Sequence, residues 1–184
     1  MEQEIINTIY TIVDIETTGG KFNEEKITEI AIFKIQNDGK VTKFHKLINP
    51  KKKIQPFVEK LTGINNQMPK NEPTFIEIAN EINEFTNDSI FVAHNVNFDF
   101  RVLSKEFSRI GLNFKRKLLC TIEVSKKVFP NENSYSLGKL VKSLGIGISN
   151  RHRADGDAEA TLHLFNKLRS NLNIEELNKF IRKI

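Results

Sequence analysis

The chain has 184 residues, 39% of them hydrophobic and 28% charged, enough to bury one core of ordinary domain size under a polar surface. No run approaches the ~18 apolar residues of a transmembrane helix. The N-terminal MEQEIINTIY has neither the basic region nor the apolar run of a signal peptide, and a single cysteine makes neither an internal disulfide nor a zinc site alone, so the expected compartment is the cytoplasm with no membrane partner. A formal charge of +5 suits a polyanionic partner, but joint enrichment in Lys, Asn and Ile is also what AT-rich coding would produce, so charge does not decide function.

No repeat, low-complexity tract or linker divides the chain, and residues 1–184 are expected to form one domain. Residues 8–16 alternate with β-branched side chains and read as a strand. Residues 27–36 and 40–48 read as two more, joined by the hairpin turn Asn37-Asp38-Gly39. Over 74–86, Phe75, Ile78, Ala79, Ile82 and Phe85 recur at helical spacing. Ser89–Ala93 reads as a short buried strand, and Phe98–Ile110 as a helix stopped by Gly111. Lys117–Thr121 reads as a strand, and 121–129, 136–144, 157–169 and 174–183 as helices. Three antiparallel strands followed by strand–helix alternation imply an α/β architecture, a mixed sheet with helices on its faces.

Three segments carry chemistry. Asp14 and Glu16 lie two apart on the first strand and project from one face. Paired carboxylates in an apolar strand need a compensating cation or proton, and Mg²⁺ or Mn²⁺ suits oxygen ligands; the alternative is a strand reaching the solvent-exposed edge. Thr17-Thr18-Gly19-Gly20 follow as a tight turn whose backbone could approach a ligand. The second segment is His94-Asn95-Val96-Asn97-Phe98-Asp99-Phe100, at a strand–helix junction, where Asp99 is either a site acid or a helix-start residue favoured by the dipole. Phe98, Val102 and Leu103 are most simply core. The third is a basic loop, Asn150-Arg151-His152-Arg153, running into Ala154-Asp155-Gly156-Asp157. Here Asp155 or Asp157 could simply cap the helix, Asp155 being the better capping candidate, and Ala158, Thr161, Leu162, Phe165 and Leu168 form the helix's core face.

Together these segments resemble the DEDDh family of 3′–5′ exonucleases, in particular the proofreading epsilon-subunit-like exonucleases of bacterial DNA polymerase III. The family's D-x-E-T-T-G matches VDIETTGG, its H-N-x-x-F-D matches HNVNFDF, and its H-x4-D matches HRADGD. Leu61-Thr62-Gly63-Ile64 looks like its L-T-G-I segment, and 134–146 like its run before the third motif. The resemblance spans about residues 8–168. In the sister DEDDy group a Tyr stands four residues before the last acid, whereas that position here is Arg153.

The resemblance implies a ribonuclease H-like fold with a central five-stranded mixed sheet flanked by helices. It implies Asp14, Glu16, Asp99 and Asp157 as ligands of two Mg²⁺ (or Mn²⁺) ions about 3.5–4 Å apart, and His152 as general base, with a phosphate contact as its alternative. It further implies Thr17, Thr18, Leu61, His94 and Phe98 as substrate contacts around the 3′-terminal nucleotide. Arg151, Arg153, Lys139 and Lys142 are candidates for phosphate contacts. The implied partners are DNA 3′ ends, single-stranded or frayed, with a DNA polymerase as a further candidate. Proofreading or repair is the implied setting. RNA trimming within the same family and a non-catalytic binding module are the alternatives. Outside the motifs, His163 reads as structural and Cys120 as a small buried hydrophobe.

Overall fold

The structure, a computed structural model, describes residues 8–183. Residues 1–7 and 184 lie outside the described residues, and with them most of the segment in which a signal peptide was sought. The β-branched run folds as β1 (Ile9–Thr17), the middle strand of five. β2 (Ile27–Ile35) and β3 (Val41–Leu47) pair antiparallel beside it. Their turn closes as expected at Asn37-Asp38-Gly39, with Gly39 at φ +82°. The Gln36 N–H bonds the Lys40 carbonyl at 2.9 Å and the Gly39 N–H bonds the Gln36 carbonyl at 2.9 Å. On the other side β4 (Ser89–Ala93) and β5 (Lys117–Cys120) run parallel to β1, giving the order β3-β2-β1-β4-β5.

Side-chain alternation divides β1 between two cores. Val13 and Ile15 join Ile30, Ile32 and Phe91 under α2 (Phe75–Phe85) and α3 (Val96–Arg109). Tyr10 and Ile12 face the other way, with Ala31 and Phe33, towards α4 (Thr121–Val128), α5 (Leu137–Ser143) and α6 (Ala154–Arg169). Phe165 of α6 is fully buried with its ring 4.9 Å from Tyr10; burying such a side chain stabilises by roughly 1.5–3 kcal/mol. The expected core face of α6 is buried throughout.

Four boundaries differ from the sequence reading. A short helix, α1 (Pro56–Thr62), opens with proline at its first position and ends on Gly63 at φ +74°. α3 begins at Val96 because Asn95, at φ +76°, reverses the chain within one residue. α6 begins at Ala154, so Asp155 lies inside the helix and does not cap it; Arg153 holds that position. The last helix, α7 (Ile174–Asn178), is half its expected length. Beyond it Arg182 pairs antiparallel with Leu118, N–H to carbonyl at 2.9 and 2.8 Å, so the chain closes the open edge of β5.

Candidate active site

Along β1 the row Tyr10, Ile12, Asp14, Glu16 changes from apolar to acidic where the sheet runs out from under α6. Asp14 and Glu16 therefore sit at the end of a buried row, partly open to solvent. The Asn95 reversal after β4 places Asp99 in the first turn of α3, 4% exposed.

The third segment is shaped by left-handed backbone at Asn150 (φ +47°) and His152 (φ +64°). It folds tightly over the start of α6. A Cβ on Gly156 would stand 2.0 Å from the Ser149 carbonyl oxygen and 2.6 Å from that of Asn150, so only glycine fits. Asp157 reaches back into this loop. Its Oδ2 accepts from Arg151 Nη1 at 2.6 Å and from the His152 N–H at 3.2 Å.

Carboxylate oxygens of Asp14, Glu16 and Asp157 come within 4.8 Å of one another. Asp99 stands outside that triplet but close enough for its charge to act on Asp14. Burial pushes the Asp14 carboxyl well above the usual carboxylate range, and the charges of Asp99, Glu16 and Asp157 push it further, with Arg151 opposing. Glu16 is pushed up to about 8 by burial and then by Asp157, Glu29 and Asp99. Asp99 is raised to about 8 by burial, against hydrogen bonds from backbone N–H groups that favour its anion. Asp157 Oδ1 is buried and has no hydrogen-bond partner among the described residues. Asp14, Glu16 and Asp99, whose carboxyls are pushed up by burial and crowding, together with Asp157 and its buried, unpartnered Oδ1, form a donor set that fits divalent cations. Arg151 supplies part of the missing positive charge.

The substrate residues separate into two kinds. Leu61, on α1, is 52% exposed and Phe98, on α3, is 37% exposed, so neither is core and both can meet a ligand. Thr17 bonds the Gly19 N–H through its hydroxyl at 3.3 Å. Thr18 is fully buried and its polar groups are engaged: the hydroxyl donates to the Gly19 carbonyl and accepts from the Lys26 N–H, the N–H bonds Lys26, and the carbonyl takes the Gln55 N–H. Thr18, expected as a substrate contact, thus has its hydroxyl and backbone groups engaged within the turn. His94 bonds Thr121 Oγ1 at 2.9 Å through Nδ1 and the Tyr135 carbonyl at 2.8 Å through Nε2. The carbonyl fixes the proton on Nε2, and burial lowers the ring's pKa, so His94 is a neutral brace between β4 and α4 with only ring edges and faces left to a substrate.

Among the basic candidates, Arg153 turns to Glu29. Its Nε and Nη2 grip Glu29 at 2.9 and 2.6 Å, so these two donors are committed to Glu29. Lys139 and Lys142 stay exposed. His163 faces solvent and Cys120 is buried. Phe22 and Phe57, 73% and 63% exposed, escaped the sequence reading. Phe57 lies against Gly19, and the Arg101 guanidinium stacks over Phe22 at 4.2 Å and lies 5.5 Å from Phe98. An aromatic residue in the polar segment just after the glycine turn was the available signal.

Comparison with known proteins fits this geometry. The profile of a family described as Exonuclease matches residues 11–165. The 3′-5′ exonuclease DinG of Staphylococcus aureus, in strains USA300 and NCTC 8325, is 37% identical over 156 residues. That is 84% of this chain but only 17% of the relative's length. Among solved structures, exonuclease X in complex with 5′ overhanging duplex DNA superposes with a TM-score of 0.72 at 24% identity, covering 93% of this chain and 98% of that one. E. coli exonuclease I in complex with a dT13 oligonucleotide gives 0.79 at 20% identity, covering 90% of this chain and 42% of that one. These two share the five-stranded mixed sheet with flanking helices, the ribonuclease H-like fold.

Proposed function

The chain belongs to the exonuclease family, and from that premise we propose that it hydrolyses DNA from the 3′ end, releasing nucleoside 5′-monophosphates with two Mg²⁺ ions held by Asp14, Glu16, Asp99 and Asp157. The observation that carries this reading is the convergence of Asp14, Glu16 and Asp157 within 4.8 Å beside an orphaned, buried Asp157 Oδ1. The relatives named above, a 3′-5′ exonuclease and two nucleases solved with DNA, support the direction and the sugar.

The ions would supply Lewis-acid polarisation of the scissile phosphodiester. The chain's own residues do the rest. The four carboxylates would hold the cations and so set where the phosphate docks. His152, on its left-handed loop beside Asp157, takes a proton from the attacking water. The water oxygen forms the new bond to phosphorus, the bond to the 3′-oxygen of the preceding nucleotide breaks, and that oxygen is protonated as it leaves. Thr17 lines the turn at the 3′-hydroxyl. Leu61 wedges against the terminal base and Phe98 lies along its sugar and ring, contacts that accept any base. Among the described residues no helix is long and apolar enough to cross a membrane. Proofreading or repair, with a polymerase nearby, is the setting we propose for such an activity.

The test is degradation of 5′-labelled single-stranded DNA, mismatched duplex and RNA side by side. A Mg²⁺-dependent ladder shortening from the 3′ end, faster on DNA than on RNA, is expected. Faster degradation of RNA would overturn the DNA assignment, and no metal-dependent shortening on any substrate would overturn the exonuclease reading.

A further inference from the structure

A fifth acid, Glu29, completes the geometry from outside the four. Glu29 pairs across the sheet with Glu16, is fully buried, and sits on the α6 side of β2. Both its oxygens are bonded: Oε2 by Arg153 Nε at 2.9 Å and the Ala154 N–H at 3.0 Å, Oε1 by Arg153 Nη2 at 2.6 Å and His45 Nε2 at 2.9 Å. Arg153 and Ala154 are the cap and first residue of α6. No side chain of the loop caps that helix itself; the carboxylate comes from a strand more than a hundred residues earlier and meets the helix at its positive end.

We propose that Glu29 is a positioning residue for the reaction, tethering the start of α6 to β2 so that His152 and Asp157 are held in register with Glu16. The proposal rests on the exonuclease reading above. The tether falls at residues 153 and 154, between His152 and Asp157, and its other end is the strand neighbour of Glu16. The second pin is the His152 N–H on Asp157 Oδ2, so the histidine's backbone is fixed on both sides. Stability alone does not explain the pair. Replacing a buried ion pair by well-packed apolar side chains is often neutral or stabilising, whereas a two-pronged Arg–carboxylate contact fixes direction as well as distance. Glu29, His45 and Asp155 also bring ligand atoms within 4.8 Å of one another, but the Arg153 guanidinium already supplies the positive charge beside Glu29, so this cluster is not read as a metal site.

The test uses the whole chain with Glu29→Gln, Arg153→Lys and, as a contrast, His45→Asn. Single-turnover kinetics on a 5′-labelled oligonucleotide at saturating Mg²⁺ are read beside amide hydrogen exchange, which needs no activity. Glu29→Gln is expected to lower kcat by ~10- to 10²-fold, the cost typical of an ångström-scale displacement, with KM within about threefold. Exchange protection is expected to fall at residues 152–157 while β1 keeps its own. Arg153→Lys is expected to lose less in the same direction, and His45→Asn to stay within about twofold of wild type. A folded Glu29→Gln with wild-type kcat overturns the proposal. So does protection lost equally across β1 and α6, or an equal loss in His45→Asn. If Glu29→Gln does not fold, Arg153→Lys decides by the same outcomes. An inactive wild type would remove the exonuclease premise, and is told apart from a failed tether by whether the localised exchange loss is still seen.

Discussion

Burial raises the Asp99 carboxyl to about 8, so in metal-free buffer near neutrality it is held largely as the neutral acid, which asparagine copies in shape. Asp99→Asn is therefore expected to leave thermal stability without metal unchanged or slightly higher. It should cut exonuclease activity by more than ~10²-fold, beyond what the loss of an outer-shell partner costs. Circular-dichroism melts and an oligonucleotide assay on one preparation check both halves, and near wild-type turnover would remove Asp99 from the site. His152 differs in kind. Its backbone is held by Asp157, so His152→Ala removes the imidazole without cutting that bond. A loss of ~10²–10⁴-fold in the single-turnover rate is expected for a general base, with partial recovery on adding imidazole and little change in Mg²⁺ affinity. No recovery, together with weaker oligonucleotide binding, would make His152 a phosphate contact. At this scale the sequence carried the acids and the histidine but not the state of Thr18, because hydroxyl engagement depends on Lys26 and Gln55 folding behind it.

At the start of α6 the chain brings Asp157 and the loop bearing His152 together. Gly156 lets the loop 149–152 lie against the helix, and a Cβ there would meet the Ser149 carbonyl at 2.0 Å. Gly156→Ala is expected to destabilise by about 1–3 kcal/mol, the cost of overpacking, and to lower activity further than stability accounts for, because the displaced loop carries His152. Urea denaturation set against kcat at a temperature where the variant is fully folded separates the two effects. An alanine variant as active and as stable as wild type would mean that the loop can lift at no cost. Periodicity placed α6 by its core face, Ala158 through Leu168, but placed its start three residues late. The turn that begins it is capped from β2, and remote capping leaves no local pattern. The early start of α3 is hidden for a different reason: its N-cap residue, Asn95, turns the chain in left-handed conformation without a side-chain cap bond.

For the whole molecule, the crowded acids predict how stability depends on pH. Asp14, Glu16 and Asp99 hold protons more tightly in the fold than at their ordinary values near 4. Between about pH 4 and pH 8 the native state binds more protons than the unfolded one, so this stabilisation is complete below about pH 4 and lost as pH rises through about 8. Glu29 runs the other way. Burial would raise it, but bonds from His45, Arg153 and the Ala154 N–H hold it at about 2, so its contribution is complete above about pH 4 and lost as pH falls towards 2. The melting temperature of the metal-free protein is expected to fall from pH 5 to pH 8 and that of the Mg²⁺-saturated protein to fall less. Cation binding in that range is expected to release protons, visible as a buffer-dependent heat. A metal-free melting curve flat across that range would mean that the acids do not share one enclosure. The sequence by itself determined the strand alternation, the two helical core faces read at Phe75–Phe85 and Ala158–Leu168, and the identity of the acids, since these depend on side-chain period and on motifs a few residues long. Only the tertiary structure decided that Arg153 grips Glu29, that the Thr18 hydroxyl is engaged within its turn, and that Phe22, Arg101 and Phe98 stack together. Each depends on residues tens to more than a hundred positions apart meeting across a sheet or a turn, where burial and charge are set by neighbours that local pattern does not name.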